Sequence, residues 1–451
     1  MSPVDTPTIG LDRTLTLLEY GSCLDPVQAE LLFEQRATLK RYLGSGWLVE
    51  GFHRDKPAIL ACDHVGIFPF SAAGQHRLLM IAPKGCQHDE ALGLRRFLEL
   101  LALSEGEPVP KEFSGWEGQR GPHRFLLFLS QHYANLLTEL CRRDFRSYYR
   151  SEEGELRGFV RGRLNVSAYV RNEIQGRPHK LPCQWDEFTV DNWDNRILWA
   201  AARGLKAMGR TISPEAARLV WKPFHQLTSW FSPVSDVAIT STDFHRSRLG
   251  RTSGYYRRAL AWAKMLLQGS ELPASGGHAA PIVLNAPRIF EKFVESVARD
   301  ALPDSAWHHH FQHQWDFLIG RQTQRHQPDI FLAGPNGIAV VGDTKYKEVL
   351  QRTNAADLGD PGRIRLAIQA SDWNQLYVYM RMKRAAMGFF VVPFWDARGD
   401  HVHLETDLRF VHGPLDGESP ARLAVIGLNL LRDVSRVKRE AVSALREWLQ
   451  K

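Results

Sequence analysis

The sequence predicts a multidomain protein that combines α+β and α/β organisation, and three observations carry that expectation. At 451 residues the chain exceeds what one ordinary core accommodates. The first hundred residues read mostly as strands and short helices, and the middle third reads as amphipathic helices. After a Gly/Ser/Ala/Pro stretch the order becomes helix, strand, strand, helix, strand, which predicts a mixed sheet flanked by helices. Three consecutive segments follow: a β-rich one over 1–115, a mainly helical one over 116–275, and a mixed-sheet domain over 276–451 with a helical tail.

In the first segment Arg13 to Tyr20 alternates loosely, Ala58 to Phe70 is apolar and β-prone, and Arg77 to Ala82 ends at Pro83-Lys84-Gly85. Ser104 to Pro122, rich in Gly, Pro and charge, reads as a boundary or long loop. A helix over about Arg124 to Arg143 takes its apolar face from Phe125, Phe128, Leu129, Leu136, Leu137 and Leu140. Further helices are predicted over Asp194 to Met208, Pro214 to Trp230 and Tyr255 to Leu267, with one strand at Gly158 to Tyr169. Gln268 to Pro281 reads as a linker. The third segment opens with a helix over Pro287 to Asp300, started by Asn285 and Pro287. A hairpin, a helix over Ile368 to Lys383 and a strand over Gly388 to Phe394 follow, and Ser419 to Lys451 reads as a long helical pattern.

The balance of 44% apolar and 24% charged residues is that of a soluble globular chain. The longest apolar runs, such as Leu423 to Leu431, reach about half of the roughly 18 residues a membrane helix needs. No membrane association is expected. The start, Met1-Ser2-Pro3-Val4-Asp5, has neither the basic nor the apolar region of a secretory signal. Cysteines 23, 62, 86, 141 and 183 are scattered with no Cys-x-x-Cys, as suits single thiols in a reducing cytoplasm. The net charge of +7 is small for this length, so local clusters of charge matter more than the whole-molecule field.

The hairpin carries the chemistry. Ile330 to Ala333 and Ile338 to Val341 are apolar runs joined by Gly334-Pro335-Asn336-Gly337, a strand, turn and strand. Folding about Pro335 and Asn336 brings Asp329 opposite position 342 or 343, so Asp329 and Asp343 meet. Alternation places Lys345 on the face of Asp343, with Lys347 one repeat further. Two carboxylates and an ammonium at one point suit a divalent cation and an activated water. Acids ending a doubly buried strand need partners or a metal.

The flanking helices add polar groups. Glu291 sits at the edge of the face formed by Ile289, Phe290, Phe293, Val294 and Val297, and Glu295 one turn later leaves the choice between the two acids open. Asp372, Gln375 and Tyr379 lie on the second helix, with Gln375 and Tyr379 at i and i+4. Arg142 to Arg171 holds eight arginines against four acids, interleaved with Phe145, Tyr148, Tyr149 and Tyr169. Such a mixture suits either a nucleic-acid surface or a solvated structural face. Arg157, Arg161 and Arg163 are the candidate DNA contacts there, with Lys347 at the hairpin. Arg246, Arg248, Arg251, Arg257 and Arg258 form a second such cluster. His308-His309-His310 with His313 lacks a fixed ligand geometry and reads as a polar surface stretch.

Glu291, Pro328-Asp329, Asp343-Thr344-Lys345 and Gln375 with Tyr379 resemble the PD-(D/E)xK nuclease superfamily, including its Q-x-x-x-Y helix. The wording is closer still to the McrC family, the nuclease subunit of McrBC-type modification-dependent restriction. Ile289 to Val294, Asp343 to Lys347, Gly162-Arg163-Leu164, Glu187 to Asp191, Asn195 to Leu198, His64 to Ile67 and Ile81 to Lys84 all resemble it in family order.

That resemblance implies a Mg²⁺- (or Mn²⁺-) dependent DNA endonuclease. Asp329 and Asp343 would bind the metal with the Thr344 backbone carbonyl and Glu291, Lys345 would act on the water or phosphate, and Gln375 and Tyr379 would position the strand. Asp343 stands where the superfamily often has Glu. The resemblance also implies an N-terminal part that docks on an AAA+ GTPase hexamer. No G-x-x-x-x-G-K-[ST] occurs, so that motor would come from another chain. A free-standing DNase and a non-catalytic activator of an AAA+ motor are the competing expectations.

Overall fold

The computed structural model describes residues 14–21, 25–43, 47–53, 56–72, 75–106, 121–239, 241–247, 254–271, 279–302, 307–312, 315–319, 322–347, 349–352, 364–409 and 421–450. Helices and several mixed sheets give a mixed α/β protein. The chain divides into two compact units. One takes Met1–Thr14, Ile67–Leu79 and Pro122–Val283; the other takes Leu15–Gly66, Met80–Gly121 and Leu284–Lys451. These units do not follow three consecutive segments, because residues 1–115 are shared between them. Most of the expected loop at Ser104 to Pro122 and half of the linker at Gln268 to Pro281 lie outside the described residues, as do Cys23, His313, Arg248 and Arg251.

In the first unit, helix Trp193–Ile212 runs several residues beyond the expected Asp194 to Met208, and Gly254–Leu267 matches its expectation to within one residue. The expected helix over Pro214 to Trp230 is corrected to Pro214–Trp221 followed by a 3-10 turn and a single α-turn. Pro223 has no N–H to continue the ladder. The middle segment is also not helical throughout. Tyr148–Arg157, Arg163–Leu164 and Lys180–Thr189 form an antiparallel three-stranded sheet, with helix Val166–Ile174 in the connection. The strand predicted over Gly158 to Tyr169 is shortened to Arg163–Leu164 for two local reasons. Gly158 and Gly162 take φ of 78° and 68°, which end the extended chain. Asn165 then caps a helix by accepting from the Ala168 N–H at 3.1 Å.

Lys56–Ala61 and His64–Ala72 divide the β-prone run in two, and Glu90–Ser104, in the second unit, forms a helix that the reading of short elements left out. The site lies on a six-stranded mixed sheet. Its order is His308–Phe311, Ile330–Ala333, Ala339–Thr344, Met387–Phe394, Arg422–Asn429 and Val402–Arg409. The three central strands run parallel, Ala339–Thr344 beside Met387–Phe394 beside Arg422–Asn429, and the outer pairings are antiparallel. Helix Ala370–Lys383 makes the crossover between the first two of these.

The central strands are buried on both faces. Phe390 meets Trp373 of the crossover helix at 5.0 Å between ring centroids, and Phe389 meets Trp448 of helix Val434–Gln450 at 6.0 Å. That double burial explains the main correction. The expected helical tail over Ser419 to Lys451 is helical only at Val434–Gln450, and Arg422–Asn429 is a strand. The six apolar residues Leu423 to Leu428, all buried, leave no face for periodicity to report.

Candidate active site

The hairpin closes through a 3-10 turn at Pro335–Gly337, with Gly337 at φ 77°. Its register pairs Ile330 with Gly342, so one step further sets Asp329 opposite Asp343. The sequence expectation is met on this point. Gly342 is required by its neighbour strand, because a Cβ there would lie 2.3 Å from Phe389 Cζ.

Asp329 is tied down by three donors. Its Oδ2 accepts from the Thr344 backbone N–H at 2.7 Å and from the Thr344 hydroxyl at 2.6 Å. Its Oδ1 accepts from Gln312 Nε2 at 3.0 Å. The Gln312 amide is oriented in turn by a hydrogen bond from Gln327 Nε2 to its Oε1. Asp343, 2% exposed, has its Oδ2 2.6 Å from Lys345 Nζ. Burial, then the Asp329 charge, push its carboxyl up to about 7 against the pull of Lys345. Burial works to lower the Lys345 ammonium, but Asp343, Asp372 and Asp329 outweigh it and leave the group raised.

Lys345 Nζ also donates to Gln375 Oε1 at 2.9 Å, and Gln375 Nε2 donates to the Tyr379 hydroxyl at 2.7 Å. The i, i+4 pair predicted on one helix face therefore forms a chain leading to the lysine. Asp372, 6% exposed on the same helix, lies 3.9 Å from Lys345 Nζ and 3.4 Å from Lys347 Nζ. Lys347 thus shares the Lys345 side, although the strand ends at Thr344 and a tight turn rather than alternation sets its place, and it is paired with an acid.

Glu291 is close to this group. Its Oε2 accepts from Arg288 Nη1 at 2.7 Å and from Gln312 Nε2 at 3.4 Å, so one amide reaches both Glu291 and Asp329. Burial and the Asp329 charge raise Glu291, with Arg288 opposing. Glu295 is raised chiefly by burial, and Asp329 is not among its influences. Of the two acids left open by the sequence, Glu291 is the one joined to the site. Gln312, Gln327 and the Thr344 hydroxyl escaped sequence reasoning. Gln312 has a positive φ of 52° outside any helix or strand, and no spacing rule singles it out. Asp372, by contrast, was named from the sequence with Gln375, which it precedes by three on the same helix.

Among the described residues no group of three or more His, Cys, Asp or Glu is placed to hold a metal. The donor set here is two carboxylates, one pushed toward neutrality by burial and by the other's charge. A hard divalent cation that completes its shell with water and phosphate oxygens suits such a pair, and magnesium binds in that way. The residues fit the implied metal.

The arginines considered for DNA lie elsewhere. Arg157 and Arg163 are exposed on the three-stranded sheet of the first unit, and Arg161, in the connection between their strands, is exposed over the Trp185 ring at 5.2 Å. Asp191 and Arg196, from the other motif segments, are structural in their contacts. They form a 2.7 Å ion pair, and the Arg196 bond holds the Asp191 carboxyl well below its usual range. Asn195 Nδ2 donates to the Arg146 and Val190 carbonyls. His308–His310 lie on the edge strand, with the His309 ring bonded to the Leu302 carbonyl at 3.0 Å. Cys62, Cys86, Cys141 and Cys183 are free thiols.

Fold and site together define a mixed α/β protein with two carboxylates and a lysine gathered at the ends of its central strands. A family model described as "McrBC 5-methylcytosine restriction system component" matches residues 63–393, and the chain belongs to that family. The McrC resemblance of the sequence motifs is borne out by this match. No curated protein matches the chain. Among solved structures, a refined half-complex from the tetradecameric assembly of Thermococcus gammatolerans McrB AAA+ hexamers with bound McrC is similar in fold. The TM-score is 0.57 at 18% identity, covering 96% of this chain and 99% of that one. A cryo-EM structure of the Thermococcus gammatolerans McrBC complex matches at 18% identity and a TM-score of 0.41, covering 64% of this chain and 88% of that one. No helix among the described residues is long and apolar enough to cross a membrane.

Proposed function

We propose that this chain is the Mg²⁺- or Mn²⁺-dependent DNA endonuclease subunit of a McrBC-like, anti-phage restriction complex in the cytoplasm. It cleaves phosphodiester bonds in modified DNA when driven by an AAA+ GTPase hexamer from another chain. The observation that carries the reading is the buried Asp343–Lys345 pair with Asp329 opposite it at the strand ends. A structural ion pair has no need of a second carboxylate that raises the first. A cation-binding hydrolytic site does.

In this reading the six-stranded sheet is a PD-(D/E)xK domain within 276–451, and Asp329, Asp343, the Thr344 carbonyl and Glu291 would hold the cation. When bound, the cation supplies a water of lowered pKa and positive charge against the phosphate. Lys345, a donor-only cation, orients that water and offsets charge on the phosphoryl oxygens. Gln375 fixes the ammonium through its Oε1, and Tyr379 fixes the Gln375 amide, so the pair acts first on the lysine. Lys347, Arg157, Arg161 and Arg163 hold DNA phosphates. Segments within 1–115 dock on the GTPase, a role supported by the AAA+ hexamers in the assembly of similar fold.

The experiment is a cleavage assay on methylated and unmethylated DNA with Mg²⁺, with and without the GTPase partner and GTP. The proposal expects cutting only in the complete mixture on methylated DNA. Vigorous cutting of plain DNA by the chain alone would make it a free-standing DNase. Stimulated GTP hydrolysis without cutting would make it an activator.

A further inference from the structure

The segment that carries Lys345 is anchored from its other side. Lys345 and Tyr346 are neighbours with opposite surroundings: Lys345 meets Asp343 and Gln375, whereas Tyr346 is buried among Tyr20, Phe290 and Trp395 at 6.2, 5.4 and 6.0 Å between ring centroids. The Tyr346 hydroxyl donates to Glu19 Oε2 at 3.2 Å. Glu19 is 0% exposed and follows strand Thr14–Leu18, where its own N–H donates to the Ala82 carbonyl at 2.9 Å.

A wholly buried carboxyl is costly to keep. Burial pushes Glu19 up to about 8, while the Tyr346 hydroxyl and the Lys84 N–H and ammonium pull it back. The cleavage chemistry proposed above makes no use of it. Glu19 nonetheless belongs to the same compact unit as Asp343 and Lys345, although more than three hundred residues separate it from Tyr346.

Past Thr344 the chain leaves the sheet. The Lys345 N–H donates to the Val391 carbonyl at 3.0 Å, and the Lys347 N–H closes a tight turn on the Lys345 carbonyl at 2.7 Å. Lys345 and Lys347 are tied by their side chains to Asp343, Gln375 and Asp372 on the site side, and the Tyr346 ring and hydroxyl anchor the same short segment from the other side.

We propose that Glu19 is a positioning residue for the nuclease lysine: by accepting the Tyr346 hydroxyl it fixes the segment after the strand and so the stand-off of Lys345 Nζ from Asp343. The inference rests on the nuclease reading above.

The test uses the full chain with its GTPase partner, GTP, Mg²⁺ and methylated DNA. Tyr346→Phe keeps the ring and removes the donor; Glu19→Leu removes the acceptor; Glu19→Gln keeps one. Tyr346→Phe and Glu19→Leu should each slow single-turnover cleavage roughly 10- to 100-fold without changing the DNA concentration for half-saturation. Glu19→Gln should restore most of the rate, and the double variant should be no slower than the slower single one. The NMR signal of ¹³C-methylated Lys345 should move in both damaging variants while that of Lys347 stays.

Unchanged cleavage in Tyr346→Phe, losses that multiply in the double variant, or an unmoved Lys345 signal would each overturn the proposal. If Glu19→Leu does not fold, Tyr346→Phe and Glu19→Gln decide the matter. A wild-type chain that never cuts counts against the nuclease reading, and the Lys345 signal still tests the positioning role.

Discussion

Thr344 donates both its backbone N–H, at 2.7 Å, and its hydroxyl, at 2.6 Å, to Asp329 Oδ2. The residue between Asp343 and Lys345 thereby fixes the carboxylate that faces them from the neighbouring strand. Both hydrogen bonds converge on the same carboxyl oxygen of Asp329. They aim the second carboxylate without using up its remaining lone pairs.

Thr344→Val keeps the β-branched shape and the backbone bond but deletes the hydroxyl. Groups that orient a metal ligand are worth roughly 10- to 100-fold in metal affinity or activity. The Mg²⁺ concentration for half-maximal cleavage should rise by that order, with folding unchanged. An unaltered Mg²⁺ dependence would show that the backbone N–H alone suffices.

Asp343 gives the site a pH dependence. Its carboxyl is held up at about 7, by burial first and the Asp329 charge second. A protonated carboxyl does not bind a cation, so apparent Mn²⁺ affinity should weaken below pH 7 and level off above it, with a limiting slope of about tenfold per unit. Asp329→Asn removes the repulsion and should move the bend to lower pH. With no cation present the sign for stability is opposite: a raised carboxyl loses stabilisation as pH climbs from the unfolded value toward 7. Mn²⁺ titrations across this range read the first effect, and a flat profile contradicts it.

Glu291 and Glu295 separate cleanly. Only Glu291 shares the Gln312 amide with Asp329. Glu291→Gln should weaken metal-dependent cleavage severalfold to roughly tenfold, and Glu295→Gln should leave it alone. Equal effects from the two would remove Glu291 from the site.

Gly342→Ala addresses packing under the site. The new Cβ would meet the Phe389 ring on the adjacent strand. Overpacking of this kind costs about 1–3 kcal/mol, measurable as a lower melting temperature. A melt equal to wild type would mean that the ring moves freely.

The hairpin, the Asp329–Asp343 pairing, Lys345 and the Gln375–Tyr379 face were legible because each follows from a local rule. A turn cluster sets the register, strand alternation sets the face, and helical spacing sets the pair. Gln312 and Glu19 were not legible, since each reaches the site through tertiary contacts with no sequence period behind them. The strand Arg422–Asn429 was read as helix because a doubly buried strand presents apolar residues without alternation. The division into three consecutive segments missed that residues 15–66 and 80–121 share a compact unit with the site strands. Sequence order gives no signal of that sharing.

The central claim is that Asp343 and Lys345 perform cleavage while motor coupling is built elsewhere on the chain. The most direct measurement compares DNA cleavage and stimulation of the partner's GTP hydrolysis for Asp343→Ala and Lys345→Ala. The account predicts loss of cleavage with GTPase stimulation intact in both variants. Cleavage that persists with either substitution would contradict it.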